Sequence, residues 1–97
     1  MTRRECINIL SACKNTLQDK YGILSLSLFG STAREEQNSN SDVDVFVETT
    51  TPNPFLLMEA RDFLEETTGR PVDIIRNHRH LNPRLKKRIE RDGITIF

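Results

Sequence analysis

One short segment constrains the fold of this chain more than any other: Gly30-Ser31, a gap of ten residues, and then Asp42-Val43-Asp44. Residues 24–29 lead into it with leucines at positions 24, 26 and 28, the pattern of a half-buried strand that ends at Gly30. Strand side chains alternate between two faces, so Asp42 and Asp44 share one face while the valines at 43, 45 and 47 face the core. The segment therefore predicts two strands flanking a glycine turn, with two carboxylates on one face of the second.

Capping residues and apolar spacing predict the other elements. Thr2 and Glu5 form a capping box for one amphipathic helix that ends at Gly22. The further elements are a short helical turn over 31–36, a polar loop over 37–41, a strand over 42–47, a helix from 54 to 68, a strand over 72–76, a helix from 83 to 92 and a strand over 94–97. We expect an α/β (α+β) fold over residues 1–97 as a single domain, in which helices pack on a small mixed sheet of three to four strands.

Composition narrows the class of protein. The chain is 36% hydrophobic and 29% charged, and no apolar run approaches the length of a membrane span. Its first residues lack the continuous apolar core of a signal peptide, so we expect a cytoplasmic protein with no membrane association. Cys6 and Cys13 lie seven residues apart on the predicted helix, about 10 Å at the helical rise, which exceeds disulfide reach. We expect two buried free thiols.

Charge is unevenly distributed although the net charge is zero. Residues 35–66 hold nine acids against one base, and residues 76–91 hold seven bases against one acid. Solvated helix faces account for most of these charges, but an acidic middle suits a metal and a basic tail suits phosphate or an acidic partner. No aromatic residue interleaves the basic run, which disfavours direct nucleic-acid binding by base stacking.

The two aspartates predict a metal site. At positions i and i+2 of a strand, Asp42 and Asp44 stand about 6.6 Å apart along the backbone and can converge on one ion or bridge two. Ligands that are all oxygen favour Mg²⁺, or Mn²⁺, over zinc, and Mg²⁺ is usually shared with substrate phosphates. Gly30 lets the backbone approach a phosphate, and Ser31 offers a hydroxyl and an amide at the start of a helical turn. The implied substrate is a nucleoside triphosphate.

Each of these residues also has a purely structural interpretation. The aspartates could be solvated carboxylates on a surface strand, Ser31 could simply cap a helix, and Arg34 could be an ordinary surface arginine. Asp73 joins the pair only if its strand is adjacent to theirs. His78 and His80 flank Arg79 in a loop, and the lack of a third soft ligand nearby argues against a metal site there.

Gly30-Ser31, the ten-residue gap, Asp42-Val43-Asp44 and a later Asp73 together resemble the catalytic signature of the DNA polymerase beta-like nucleotidyltransferase superfamily. The short length, the turn Gly30-Ser31-Thr32-Ala33-Arg34 and the strand entry Arg70-Pro71-Val72-Asp73 are similar to its minimal members, the MNT proteins. These are commonly encoded beside a HEPN-domain toxin and act as its antitoxin. The resemblance runs from residue 24 to the end of the chain.

The resemblance implies a role for each site residue. Asp42 and Asp44 would bind two Mg²⁺ ions, and Asp73 would bind the catalytic ion and help to deprotonate the attacking hydroxyl. Gly30 and Ser31 would hold the triphosphate of ATP, with Arg34 near it. The implied reaction transfers AMP from ATP to a tyrosine hydroxyl of the HEPN toxin, within a hetero-oligomer of the two proteins.

Two other functions remain open at this point. The chain could neutralise its partner by contact alone, without catalysis, or it could transfer a nucleotide to a small molecule. A domain of 97 residues is nearly used up by such a sheet and its helices, which leaves few residues to build walls around an acceptor. This favours an acceptor that is itself a protein.

Overall fold

A computed structural model describes residues 2–30, 42–50 and 53–97. The elements within these ranges are α1 (Arg3–Ala12), α2 (Lys14–Tyr21), β1 (Ile23–Phe29), β2 (Val43–Thr49), α3 (Pro54–Thr68), β3 (Val72–Arg76), α4 (Pro83–Asp92) and β4 (Ile94–Thr95). The helical turn predicted over 31–36 and the loop predicted over 37–41 lie outside the described residues. None of the described helices is both long and apolar enough to cross a membrane.

The four described strands form one mixed sheet, as predicted, and their order is β3-β2-β1-β4. β1 pairs antiparallel with both β2 and β4, and β2 pairs parallel with β3. The parallel pair requires a crossover, which α3 supplies between β2 and β3. Beyond β4, the backbone of Ile96 and Phe97 continues to bond with Leu26, so the last residues follow β1 to the end of the chain.

One face of the sheet carries the core. The valines of β2 are fully buried there, as the alternation predicts, and they pack against helices α1, α2 and α3. The helices contribute Cys6, Leu10, Leu17, Ala60 and Leu64, all with no exposed surface. The opposite face carries Phe29 and Asp44, and α4 lies over part of it, because Leu85 and Ile89 line a cavity together with Phe29.

The single N-terminal helix predicted from the sequence is in fact two helices. The chain breaks at Cys13, whose N–H bonds to the carbonyl of Leu10 three residues back at 3.1 Å. The apolar spacing of Ile7, Leu10, Cys13 and Leu17 nevertheless continues across the break, since the last three are buried and Ile7 is half-buried. Both cysteines are free thiols. The predicted ends are right as well: the Thr2 hydroxyl accepts from the Glu5 N–H, and Gly22 ends α2 with a φ of 66°.

The prediction that Leu24 faces the core with Leu26 and Leu28 is wrong. Leu24 is 54% exposed, and Ile23 is fully buried in its place. The pairing of β1 with β2 shifts between Ile23 and Ser25, and such an irregularity reverses which residues of a strand point inward. The alternation read from the sequence therefore applies only from Ser25 onward.

The later boundaries agree closely with the sequence pattern. Asn53 caps α3 and Asn82 caps α4, each followed by proline at the first helical position, and Gly69 ends α3 with a φ of 71°. The strand predicted over 72–76 is found there without change. The strand predicted over 42–47 is β2, which starts one residue later and runs to Thr49.

Candidate active site

The candidate residues lie at one end of the sheet, where β1 finishes and both β2 and β3 begin. β1 ends at Phe29 and is followed by Gly30, while β2 begins just after Asp42. These two strands are antiparallel, so the end of the first meets the start of the second, and Phe29 pairs with Asp44. β3 runs parallel to β2 and starts at the same end of the sheet, which places Asp73 beside Asp44.

Gly30 and Asp44 are in direct contact. Gly30 has a φ of 76°, a conformation that side chains other than glycine rarely adopt. A Cβ atom added at Gly30 would lie 3.2 Å from Cγ of Asp44 and would overlap its Oδ2 atom. The backbone conformation and the neighbouring carboxylate thus both require glycine at position 30.

Asp44 and Asp73 are register partners on adjacent strands. Neighbouring strands lie about 4.8 Å apart, and residues in register point to the same face of the sheet. Asp73 and Asp42 are exposed, and Asp44 is half-buried. The sequence left open whether the strand of Asp73 is adjacent to the strand of Asp44, and the structure shows that it is.

Two hydrogen bonds hold the start of β3 in this register. The Val43 N–H donates to the carbonyl of Pro71 at 2.8 Å, which ties the first residue of β2 to the residue before β3. On the outer side of β3, the Val72 N–H donates to the Glu65 carboxylate at 2.9 Å. Glu65 was not identified from the sequence, because no pattern links a residue of α3 to the entry of the next strand.

The three aspartate carboxylates are suitable ligands for a hard divalent cation, but they do not converge on a single point. Among the described residues, no group of three or more His, Cys, Asp or Glu side chains is close enough together to hold a metal ion. Adjacent carboxylates repel one another, so a cation would be needed to draw Asp42, Asp44 and Asp73 together. All three offer only oxygen ligands, which suit Mg²⁺ or Mn²⁺.

A cavity of about 190 Å³ adjoins Gly30. Its apolar walls are Phe29, Leu85 and Ile89, and its polar lining comes from Gly30, Arg88 and Asp92. A dry cavity of about 150 Å³ can hold benzene, so this one has room for a planar ring system. The four-residue spacing of Leu85 and Ile89 puts them on one side of α4, but it does not show that this side covers the end of β1.

Helix α4 carries much of the predicted basic run to the cavity. Arg84, Lys87, Arg88 and Arg91 are exposed along it. The Arg91 guanidinium donates to both carboxylate oxygens of Asp92, at 3.1 and 3.0 Å, and this bond and charge raise the pKa of Arg91. Of these basic residues, Arg88 lines the cavity beside Gly30.

The two histidines lie away from the site. They follow β3, whose last residues pair with the end of β2 at the opposite edge of the sheet, where the Asn77 N–H bonds to Val47. His78 Nδ1 accepts from the His80 N–H at 3.1 Å, and both rings are exposed. Ser31 and Arg34, the other two predicted ligands of the triphosphate, lie outside the described residues.

This chain is similar in sequence to known proteins. A family model described as polymerase beta, nucleotidyltransferase matches residues 11–97. A protein of Methanocaldococcus jannaschii, provisionally named a protein adenylyltransferase, is 40% identical over 96 residues, covering 98% of both chains. The protein adenylyltransferase MntA of Thermococcus cleftensis is 33% identical over 76 residues, covering 77% of both.

Solved structures share the fold. One described as a minimal nucleotidyltransferase superposes with a TM-score of 0.78 at 28% identity, over 97% of this chain and 95% of that one. A toxin-antitoxin structure with AMP-PNP gives 0.74 at 21% identity, over 90% and 72%. A structure of a tri-AMPylated Shewanella oneidensis HEPN toxin in complex with MNT antitoxin gives 0.67 at 17% identity, over 94% and 71%.

Proposed function

The chain belongs to the polymerase beta nucleotidyltransferase family, and from that premise we propose that it is a Mg²⁺-dependent protein adenylyltransferase that acts as an antitoxin. It would transfer AMP from ATP to a tyrosine hydroxyl of a HEPN-domain toxin in the cytoplasm, with release of pyrophosphate, and so silence the toxin. The observation that carries this proposal is the register of Asp44 with Asp73 beside the Gly30 turn. The names of the relatives support the acceptor class.

The carboxylates would divide the chemistry between them. Asp42 and Asp44 would hold both Mg²⁺ ions, and Asp73 would hold the catalytic one. When bound, Mg²⁺ would neutralise charge on the triphosphate and on the transition state. Asp73 is exposed on the edge strand, so it can accept the proton of an incoming hydroxyl.

The donor nucleotide would lie along Gly30. Gly30 has no Cβ, and the space that a Cβ would take lies against Asp44. The triphosphate can therefore approach the backbone and the carboxylate at the same point. Ser31 and Arg34 would contribute a hydroxyl and a positive charge to the phosphates. The cavity between Phe29 and Leu85, bordered by the Arg88 guanidinium, would accept the nucleoside.

The deciding experiment separates catalysis from binding. The double variant Asp42→Asn/Asp44→Asn should still bind its HEPN-domain toxin partner, but should neither transfer AMP to it nor suppress its ribonuclease activity. Asp19→Asn, an exposed aspartate on α2, is the matched control and should behave as wild type. Full neutralisation by the double variant would favour an antitoxin that works by contact alone.

A second outcome would redirect the substrate class. If the partner stays unmodified in the presence of ATP and Mg²⁺ while a small hydroxyl compound becomes nucleotidylated, the chain is a small-molecule nucleotidyltransferase. The exposure of Asp73 argues for a protein acceptor, because a small acceptor needs enclosing walls on that side.

A further inference from the structure

Helix α3 presents large apolar side chains to solvent. Phe55 is 73% exposed and Met58 is 49% exposed, and they lie three residues apart on the same side of the first two turns. The other large exposed apolar residue among those described is Leu24, at the far end of β1. A single exposed apolar residue is ordinary, but two adjacent ones beside a groove indicate a contact surface.

The groove runs between α3 and the edge strand β3, with a volume of about 320 Å³. Five of its lining residues are apolar, Pro54, Leu57 and Met58 on the helix side and Val72 and Ile74 on the strand side. Asp73 also lines it, together with Arg61. The groove therefore adjoins the same residue that is the candidate base of the reaction.

The helix that forms one wall of the groove is acidic. α3 carries four acids, Glu59, Asp62, Glu65 and Glu66, against one base, and that base, Arg61, contacts Asp62 at 3.5 Å. Two copies of this face brought together would oppose like charges. The groove therefore suits an apolar side chain that is flanked by basic residues on its own protein.

We propose that this groove, lined by α3 and β3, is the docking surface for the acceptor protein, which inserts an apolar side chain from a basic segment beside Phe55 and Met58. The proposal rests on the proposed function. In the proposed function the donor nucleotide would lie on the Gly30 side of the site, and β3 is the edge strand, so the acceptor hydroxyl would approach from the Asp73 side. Contacts in the groove would hold the acceptor there.

The test uses surface variants that leave the catalytic residues in place. Phe55→Ser/Met58→Ser should weaken binding of the purified HEPN-domain partner about tenfold or more, since exposed aromatic anchors dominate interface energies. Affinity for ATP should not change. Leu24→Ser, which removes an equally exposed leucine far from the groove, is the control and should bind the partner as wild type does.

Calorimetric titration gives both affinities, and the titrations are repeated in the Asp42→Asn/Asp44→Asn background so that binding is measured without transfer. Weaker binding with unchanged ATP affinity supports the docking surface, whether or not AMP is transferred. Normal partner affinity of Phe55→Ser/Met58→Ser overturns the docking surface and leaves the proposed function standing.

The groove could instead bind a second copy of the chain. In that case the wild type would be a dimer, Phe55→Ser/Met58→Ser would dissociate it without changing partner affinity, and the docking proposal would be overturned. A wild-type chain that does not bind the HEPN-domain protein overturns both.

Discussion

Gly30 packs its α-carbon against the carboxylate of Asp44, at the point where β1 ends and the neighbouring strand begins. This contact places a backbone turn of positive φ directly beside the carboxylate that pairs in register with Asp73. A phosphate at the turn and a cation at the carboxylates would therefore be neighbours, as phosphoryl chemistry assisted by Mg²⁺ requires.

Gly30→Ala tests that contact. The new Cβ must overlap Asp44 Oδ2, so the carboxylate or the turn has to move, and we expect AMP transfer to fall at least tenfold. The backbone strain alone should cost about 1 kcal/mol of unfolding free energy. Gly69→Ala is the control, because Gly69 has a φ of 71° but a Cβ added there would meet no other atom within 4 Å. We expect both variants to lose a similar amount of unfolding free energy. Only Gly30→Ala should lose activity, and Gly69→Ala should keep it.

Asp73→Asn tests the assignment of the base. Removing the carboxylate should lower kcat by about a hundredfold, the usual contribution of general base catalysis, with little change in the affinity for ATP. Stopped-flow or single-turnover assays with the partner protein measure kcat separately from binding. Wild-type turnover by Asp73→Asn would remove this residue from the proposed mechanism.

Glu65 should act as a positioning residue through its bond to the Val72 N–H. Glu65→Ala leaves that N–H without its carboxylate and should cost about 1 kcal/mol of unfolding free energy. It should also lower kcat while the KM for ATP stays the same, because Asp73 is the next residue along β3. Glu65→Gln keeps an acceptor oxygen and should restore most of both losses. Glu66→Ala, an exposed neighbour, should change neither quantity.

The Cys6 thiol predicts a dependence of stability on pH. Burial raises its pKa from 9.0 to about 11. In the unfolded chain the thiol ionises near its ordinary pKa, but in the folded chain it stays protonated until a higher pH. Stability from this group is therefore complete below pH 9 and declines as the pH rises toward 11, by roughly 1–3 kcal/mol.

Urea unfolding of the wild type and of Cys6→Ala between pH 8 and about 11 isolates this effect, because other groups titrate equally in both proteins. The difference in unfolding free energy between the two should shrink as the pH rises. A constant difference would show that the Cys6 pKa is not raised by folding.

The strand irregularity in β1 predicts unequal effects of two similar substitutions. Leu26→Ala removes a fully buried side chain and should cost about 2–4 kcal/mol of unfolding free energy. Leu24→Ala removes one that is mostly exposed and should cost less than about 0.5 kcal/mol. Equal losses in urea unfolding would mean that Leu24 packs in the core after all.

Most of the fold could be predicted because local signals and burial agree. The Asn53 and Asn82 caps, the prolines that follow them and the valines of β2 each indicate the same element by two independent criteria. The errors arise where tertiary contacts override a regular pattern. The break at Cys13 leaves the apolar spacing intact, and the register shift after Ile23 has no signal in a run of alternating leucines.

The candidate site divides in the same way. The sequence predicts Asp42 and Asp44 on one face because they are two residues apart in a predicted strand, whereas the position of Asp73 depends on strand order, which periodicity does not encode. The sequence analysis did not identify Arg88, Asp92 and Glu65. Each lies on a helix and comes close to the site only through tertiary packing. No spacing in the sequence indicates those approaches.

The intact mass of the HEPN-domain partner tests the central claim most directly. After incubation with ATP, Mg²⁺ and the wild-type chain, the partner should gain the mass of one or more AMP units, which fragmentation should locate on tyrosine. Incubation with Asp42→Asn/Asp44→Asn should leave the mass unchanged although the complex still forms. An unmodified partner with the wild-type chain, or an AMP-modified one with the double variant, would contradict the account.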